Sequence, residues 1–297
     1  MKRAPFAYVK SLLWSGPWFW FAMMDLCQAE VVEDSVYSPV LARTWAYHVY
    51  LPPSYDGAEN QTYPVLFLLH GSAGDETAWD PAFPGLDDLI VRGEIAPVVA
   101  IAPASATSWW VDGVEPIESA FFSDLIPDVR NKYPVRNNRE AWVVAGFSMG
   151  GYGALRFALT YPERFGGAIL LSPALYAEQP PEGSSARTSG AFGRPFNSCV
   201  WASRNYTALL PGYLAREMPV QLFIGAGDDD WNHPEDHGLN MEIQTTMLYN
   251  KLNKQYGSPA ELRIVDGSHD WALWLPLFEE GMKVMARDLT AFRVAAP

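Results

Sequence analysis

Three kinds of residue able to carry out nucleophilic chemistry are spaced along this chain so that each follows a stretch of strand-forming residues. The first is a serine boxed by glycines, Gly146-Phe147-Ser148-Met149-Gly150, between AWVVA (residues 141–145) and the helix formers that start at Gly151. A strand that reverses into a helix within two residues holds the serine in a strained conformation, and side chains at the flanking positions would collide with the strand or the helix. The alternative is a tight strand-to-helix turn with a serine N-cap and no chemistry. A hydroxyl is a weak nucleophile unless a base takes its proton. Of the five histidines, His269 lies just beyond the last predicted strand, on a loop at the sheet edge expected for Ser148. A base needs an acid to fix its tautomer and stabilise the imidazolium. Asp228, Asp229 and Asp230 end the preceding strand; spacing leaves the acid open among them, with Asp230 the first choice and Asp228 the second. Donors for an oxyanion are expected from the backbone N–H groups of Ser72, in the turn LHGSAG (69–74), and Met149, at the helix start. His70 is expected to support that turn by hydrogen bonding and not to titrate in the reaction.

These residues need a scaffold that brings strand ends together. Continuous apolar runs at 65–69 (VLFLL), 97–102, 141–145, 167–171, 220–224 and 261–265 read as strands buried on both faces. Segments with helical periodicity lie between them at 117–132, 151–161, 241–255 and 271–292. Alternation of this kind predicts an α/β fold with a mostly parallel central sheet and helices on both faces. Two earlier segments, from about Val31 and at 44–51 (TWAYHVYL), are expected to pair antiparallel at its edge. Parallel sheets gather their carboxyl ends along one rim. Nucleophile, acid, base and oxyanion turn each fall directly after a different predicted strand, and their convergence outweighs any single motif. Residues 177–194, rich in Pro, Gly and Ser, read as a loop that could lie over the site as a partial lid.

The chain order Ser, Asp, His is the one expected of α/β-hydrolases, and over residues 38–292 the sequence resembles their esterase family. That family includes esterase D and S-formylglutathione hydrolases, feruloyl esterases, enterochelin-type esterases and antigen 85 mycolyltransferases. The resemblance rests on VYLPPSY and YPVLFLLHG (49–55, 63–71), DLIPDVRNKYPV (124–135), GFSMGGYGAL (146–155), FIGAGDDD (223–230) and DGSHDWALW (266–274). It implies the α/β-hydrolase fold with Ser148 as nucleophile, His269 as base, Asp230 as acid, and Ser72 and Met149 as oxyanion donors. It implies no cofactor and leaves the substrate open, since members act on thioesters, aryl esters, siderophore lactones and glycolipid acyl groups. The reading is a serine carboxylic-ester hydrolase, with an acyltransferase as the alternative and a binding protein on a hydrolase scaffold as a third.

Composition sets the remaining bounds. At 297 residues and 49% hydrophobic, the chain has apolar mass for one large core, and a net charge of −13 argues against nucleic acid as a partner. Met1-Lys2-Arg3, a 14-residue apolar run at 11–24 and Cys27-Gln28-Ala29 have the layout of a secretory signal peptide cleaved after Ala29. The apolar run falls short of the ~20 residues that span a bilayer as a helix, so no stable membrane insertion is expected after cleavage. An uncleaved anchor is the alternative. The expectation is therefore residues 1–29 as signal and 30–297 as one catalytic domain, secreted or periplasmic. Removal of the segment, which carries Lys2, Arg3, Lys10 and Asp25 and is thus +2, leaves −15 and one cysteine, Cys199, so no disulfide framework is available. Asn60-Gln61-Thr62 and Asn205-Tyr206-Thr207 match the glycosylation pattern. His233 and His237 beside carboxylates suggest a metal, but Pro234 and Gly238 argue against the helix their spacing needs, and no metal is expected. Among the 12 tryptophans, Trp109, Trp110, Trp231 and Trp271 fall in or beside strand-end loops and are candidates to line a pocket for a small-molecule, glycan or aryl ester.

Overall fold

The continuous apolar runs form the centre of an eight-stranded sheet in the computed structural model, which describes residues 29–57 and 61–294. The strands are β1 (Glu30–Ser38), β2 (Arg43–Leu51), β3 (Val65–Leu69), β4 (Val99–Pro103), β5 (Trp142–Phe147), β6 (Gly167–Leu171), β7 (Gln221–Gly227) and β8 (Ala260–Val265). Their order is β1-β2-β4-β3-β5-β6-β7-β8. Strands β3 to β8 are mutually parallel, and β2 is antiparallel to both β1 and β4. The expected antiparallel pair therefore sits at one edge. Every residue of β3, β4, β5 and β6 is buried, so helices cover both faces, whereas β1 alternates between exposed and half-buried positions, as an edge strand wetted on one side does.

The described helices are α1 (Phe83–Val91), α2 (Ile117–Ala120), α3 (Ile126–Lys132), α4 (Met149–Thr160), α5 (Ser185–Thr188), α6 (Ser198–Arg204), α7 (Tyr206–Leu214), α8 (Met241–Tyr249) and α9 (Trp271–Asp288). Helix α4 packs on β5 and β6 with α7 beside it, and α9 packs on β6 and β7 with α1 beside it. Periodicity missed α1, α6 and α7. The loop expected at 177–194 contains only the single turn of α5.

Glycine sets how closely these layers meet at the one place where chemistry is expected. A Cβ on Gly150 would overlap the Leu69 carbonyl at the end of β3, and a Cβ on Gly146 would overlap the Gly150 carbonyl. Helix α4 thus starts with its backbone pressed directly on two strand ends, which only glycine permits. Gly150→Ala is expected to destabilise the protein by at least ~3 kcal/mol in a denaturant titration, because backbone on both sides cannot yield. Gly212→Ala, exposed in α7 with open space around the position of a Cβ, is expected to be neutral or to gain up to ~1 kcal/mol.

Candidate active site

Ser148 occupies the turn between β5 and α4 with φ 56° and ψ −120°, outside the regions favoured by residues with a side chain. Backbone bonds hold it there. Its N–H donates to Leu171 O at 2.9 Å, and its carbonyl accepts from Tyr152 N–H at 3.2 Å and Ala174 N–H at 3.1 Å. The side chain makes no capping bond to α4, so the hydroxyl is not used as an N-cap. This separates the two readings of the motif: the turn places an uncommitted hydroxyl at the head of a twelve-residue helix, whose dipole favours nearby negative charge.

The loops after β7 and β8 are stitched together. Asp228 N–H donates to Val265 O at 2.9 Å and Asp229 N–H to Gly267 O at 3.2 Å. Asp228 Oδ1 in turn accepts from Gly267 N–H at 3.2 Å. Asp228 therefore holds the loop on which His269 rides, and Asp230 is the carboxylate that meets the imidazole. Asp230 Oδ1 lies 2.6 Å from His269 Nδ1 and also accepts from Trp231 N–H at 2.7 Å. Asp230 is only 2% exposed. Burial alone would raise its carboxyl, but the His269 hydrogen bond and charge, with help from Ser172 and the Trp231 N–H, hold it below the ordinary carboxylate range. It is a buried, ionised acceptor that fixes one nitrogen of the ring as donor.

Aromatic rings set the position of that imidazole. Trp231 lies nearly flat on it, 4.7 Å between centroids and 24° between planes, and Trp274 meets it edge-on at 4.9 Å and 85°. Trp274 also stacks on Phe147, the residue before Ser148, at 4.5 Å and 21°. Among the described residues no hydrogen bond joins the Ser148 hydroxyl to His269. Trp274 is the side chain that links the two loops, and hydroxyl–imidazole contacts of this kind commonly tighten only in complex with substrate.

The turn after β3 is organised by His70, which is fully buried. Its Nε2 accepts from Ser105 N–H at 2.8 Å, so the proton of the neutral ring is on Nδ1, which donates to Gly71 O at 2.6 Å. Burial pushes this histidine down to about 4, and it stays neutral through the physiological range. In a planar trans peptide the N–H points opposite to the carbonyl. Anchoring Gly71 O on His70, with Gly74 N–H at 3.2 Å as a second donor, therefore aims the Ser72 N–H the other way. Trp110 Nε1 donates to His70 O at 3.1 Å and braces the same turn from behind. Neither the Ser72 nor the Met149 N–H has a protein acceptor among the described residues.

Two of the four expected pocket tryptophans are elsewhere. Trp109 is 2% exposed, packed against Tyr152, Phe192 and Trp201, and Trp110 is fully buried against His70. Rings with almost no free surface cannot line a substrate pocket, and their work is to support α4 and the turn after β3. Trp231, 47% exposed, and the half-buried Trp271 remain at the site. Trp274 and Ser172 were not singled out from sequence. Ser172 directly follows β6, the same strand-end position that exposed the other groups, and Trp274 lies one helical turn beyond Trp271.

The remaining expectations resolve as follows. Asn205 is fully buried with its amide bonded to Leu175 O and Tyr176 O, which leaves no room for a glycan, and Asn60 lies outside the described residues, as does the predicted signal segment apart from Ala29. His233 and His237 do not form a ligand cluster. Among the described residues the carboxylates of Asp228, Asp229 and Asp266 do come within 4.8 Å of one another, but all three are exposed, and such groups are common without an ion. No described helix is long and apolar enough to cross a membrane.

Comparison with known proteins identifies the family and the fold. The Esterase family model matches residues 38–285. An acetyl esterase of Caldicellulosiruptor saccharolyticus is 27% identical over 230 residues, covering 73% of this chain and 80% of that protein. An endo-1,4-beta-xylanase/feruloyl esterase of Xylanibacter ruminicola is 27% identical over 170 residues, covering 53% of this chain but only 23% of the relative. Among solved structures, a ferulic acid esterase superposes with a TM-score of 0.74 at 23% identity, over 88% of this chain and 99% of that one, a likeness of fold. A mostly parallel eight-stranded sheet and a family match over most of the chain lead to one conclusion: this chain belongs to the Esterase family, a carboxylic-ester hydrolase of the α/β-hydrolase fold.

Proposed function

We propose that this esterase works through a Ser148–His269–Asp230 triad and an acyl-enzyme, and that it is exported. The observation that carries the triad is the buried 2.6 Å bond from His269 to Asp230, on the same sheet edge as a strained serine whose hydroxyl caps nothing. Ser148 Oγ attacks the ester carbonyl as His269 Nε2 takes its proton. The Ser72 and Met149 N–H groups receive the oxyanion. His269 then protonates the leaving alcohol and afterwards activates a water that releases the acid. Trp231, half exposed on the imidazole face, offers a flat apolar surface to the departing group, and Trp271 stands beside it. The acyl groups named for the relatives, acetyl and feruloyl, are the first to test. Export is supported by the basic and apolar layout of residues 1–29.

Ser148→Ala is expected to lower kcat on the order of 10⁶-fold with the fold intact. A loss of tenfold or less, measured against p-nitrophenyl, feruloyl and acetylated-sugar esters, would assign the nucleophile elsewhere. Adding an alcohol acceptor and analysing products separates hydrolysis from acyl transfer.

His70 yields a test of the oxyanion turn. Its folded value of about 4 lies below the ~6.5 of an unfolded histidine, so the unfolded chain binds more protons between those values. The stability it contributes is present above pH ~6.5 and lost as pH falls toward 4, by roughly 3 kcal/mol in all. His70→Gln is expected to be less stable than the parent at pH 8, with the gap closing by about that amount at pH 4. The same variant is expected to lose about 10²-fold in kcat with little change in KM, because the Ser72 N–H is no longer aimed. A constant stability gap across pH would count against the neutral, buried His70. N-terminal sequencing of protein exported by a bacterial host is expected to begin at Glu30, and an intact Met1 on material in the medium or periplasm would refute the cleavage.

A further inference from the structure

We infer that Ser172 and Trp274 are positioning residues that extend the hydrogen-bonded relay past the acid: Trp274 Nε1–H donates to Ser172 Oγ, and the Ser172 O–H serves the second carboxylate oxygen of Asp230. The inference rests on the triad reading above and concerns what holds its acid in place.

The argument is one of donors and acceptors. A serine hydroxyl has one proton and two lone pairs, and an indole N–H can only donate. Trp274 Nε1 lies 2.9 Å from Ser172 Oγ, so one lone pair of Ser172 is used and its proton is left to place. Ser172 is fully buried, so that proton cannot go to bulk water. Asp230 supplies the complementary need. Its Oδ1 is saturated by His269 and Trp231, while Oδ2 is buried without a bonded partner, and an ionised oxygen left so is costly. Ser172 is among the side chains that act to lower the Asp230 carboxyl against the burial that raises it.

The backbone points the same way. Ser172 follows β6 at φ 43°, a left-handed conformation that costs a residue with a side chain of order 1–3 kcal/mol. It is fastened there by a 2.7 Å bond from its N–H to Gly225 O on β7, the strand whose continuation carries Asp230. Trp274 touches the imidazole edge-on and Ser172 through its nitrogen, so one side chain contacts the base directly and the acid through a single hydroxyl. Holding Oδ2 fixes the plane of the carboxylate and keeps Oδ1 on Nδ1. The competing donor is Tyr176, whose buried hydroxyl also lacks a partner and which senses the Asp230 charge.

Ser172→Gly is the informative variant, since glycine accepts the positive φ while losing the hydroxymethyl group that carries the hydroxyl. We expect kcat to fall about 10- to 100-fold, with KM within about twofold and Tm unchanged or higher. The acid limb of the kcat/KM–pH profile is expected to move to higher pH, because Asp230 becomes easier to protonate and binds the imidazolium more tightly. Trp274→Phe, which keeps a ring but loses the donor, is expected to show a smaller loss in the same direction. Fluorophosphonate labelling of Ser148 is expected to slow by the same factor as kcat in Ser172→Gly and still reach one equivalent. Failure of the parent enzyme to label would overturn the triad reading itself. If the parent labels normally, a Ser172→Gly enzyme with kcat within twofold and an unmoved acid limb would overturn the relay. So would a Tyr176→Phe variant that alone reproduces the loss.

Discussion

The structure depends on one close approach: the backbone of Gly150, at the first turn of α4, resting on the carbonyl end of β3. Two strand ends and one helix start meet there without intervening side chains. This contact sets the distance between the Ser148 turn and the His70–Gly71–Ser72 turn, and with it the separation of the proposed nucleophile from one of the two proposed oxyanion donors. A larger residue would move the two turns apart, and a displacement of an ångström in such a site costs far more in rate than in stability. The strain at Ser148 is the local consequence of building a site this way. It is held by three backbone hydrogen bonds and not by the serine side chain, which leaves the hydroxyl free for substrate.

Around that contact the groups are held by neighbours that are themselves held. His70 anchors Gly71 O and is anchored by Ser105 N–H. His269 is fixed by Asp230, by the flat face of Trp231 and by the edge of Trp274. The two histidines end up with opposite jobs because of their surroundings. His70, enclosed and without a carboxylate in contact, is kept neutral and structural. His269 faces a buried ionised acid, the partner that its proposed role as base calls for.

Most of this arrangement could be read from residues alone where the signal was local. The uninterrupted apolar runs gave β3 and β6 with the boundaries expected, because a strand buried on both faces leaves no polar position to blur its ends. The glycines about Ser148 announced the sharp turn for the same steric reason that the coordinates display. What sequence could not resolve came from contacts distant along the chain. Asp228 and Asp230 are two residues apart with the same chemistry, and only the fold shows that one ties a loop while the other meets the ring. Trp109 and Trp110 lie among polar residues and read as loop surface, yet Phe192, Trp201 and His70 enclose them. Ser172 is a lone serine with no motif about it, and only the indole of Trp274, 102 positions on, gives it meaning.

The central claim is that the acyl group passes through Ser148 Oγ, and rapid mixing with a p-nitrophenyl ester tests it most directly. The account predicts a burst of one equivalent of nitrophenolate per chain, and an acid-quenched sample whose added acyl mass maps by peptide mass spectrometry to the fragment containing Ser148. Acyl mass on any other residue, or efficient turnover with no covalent adduct trapped at any time point, would contradict it.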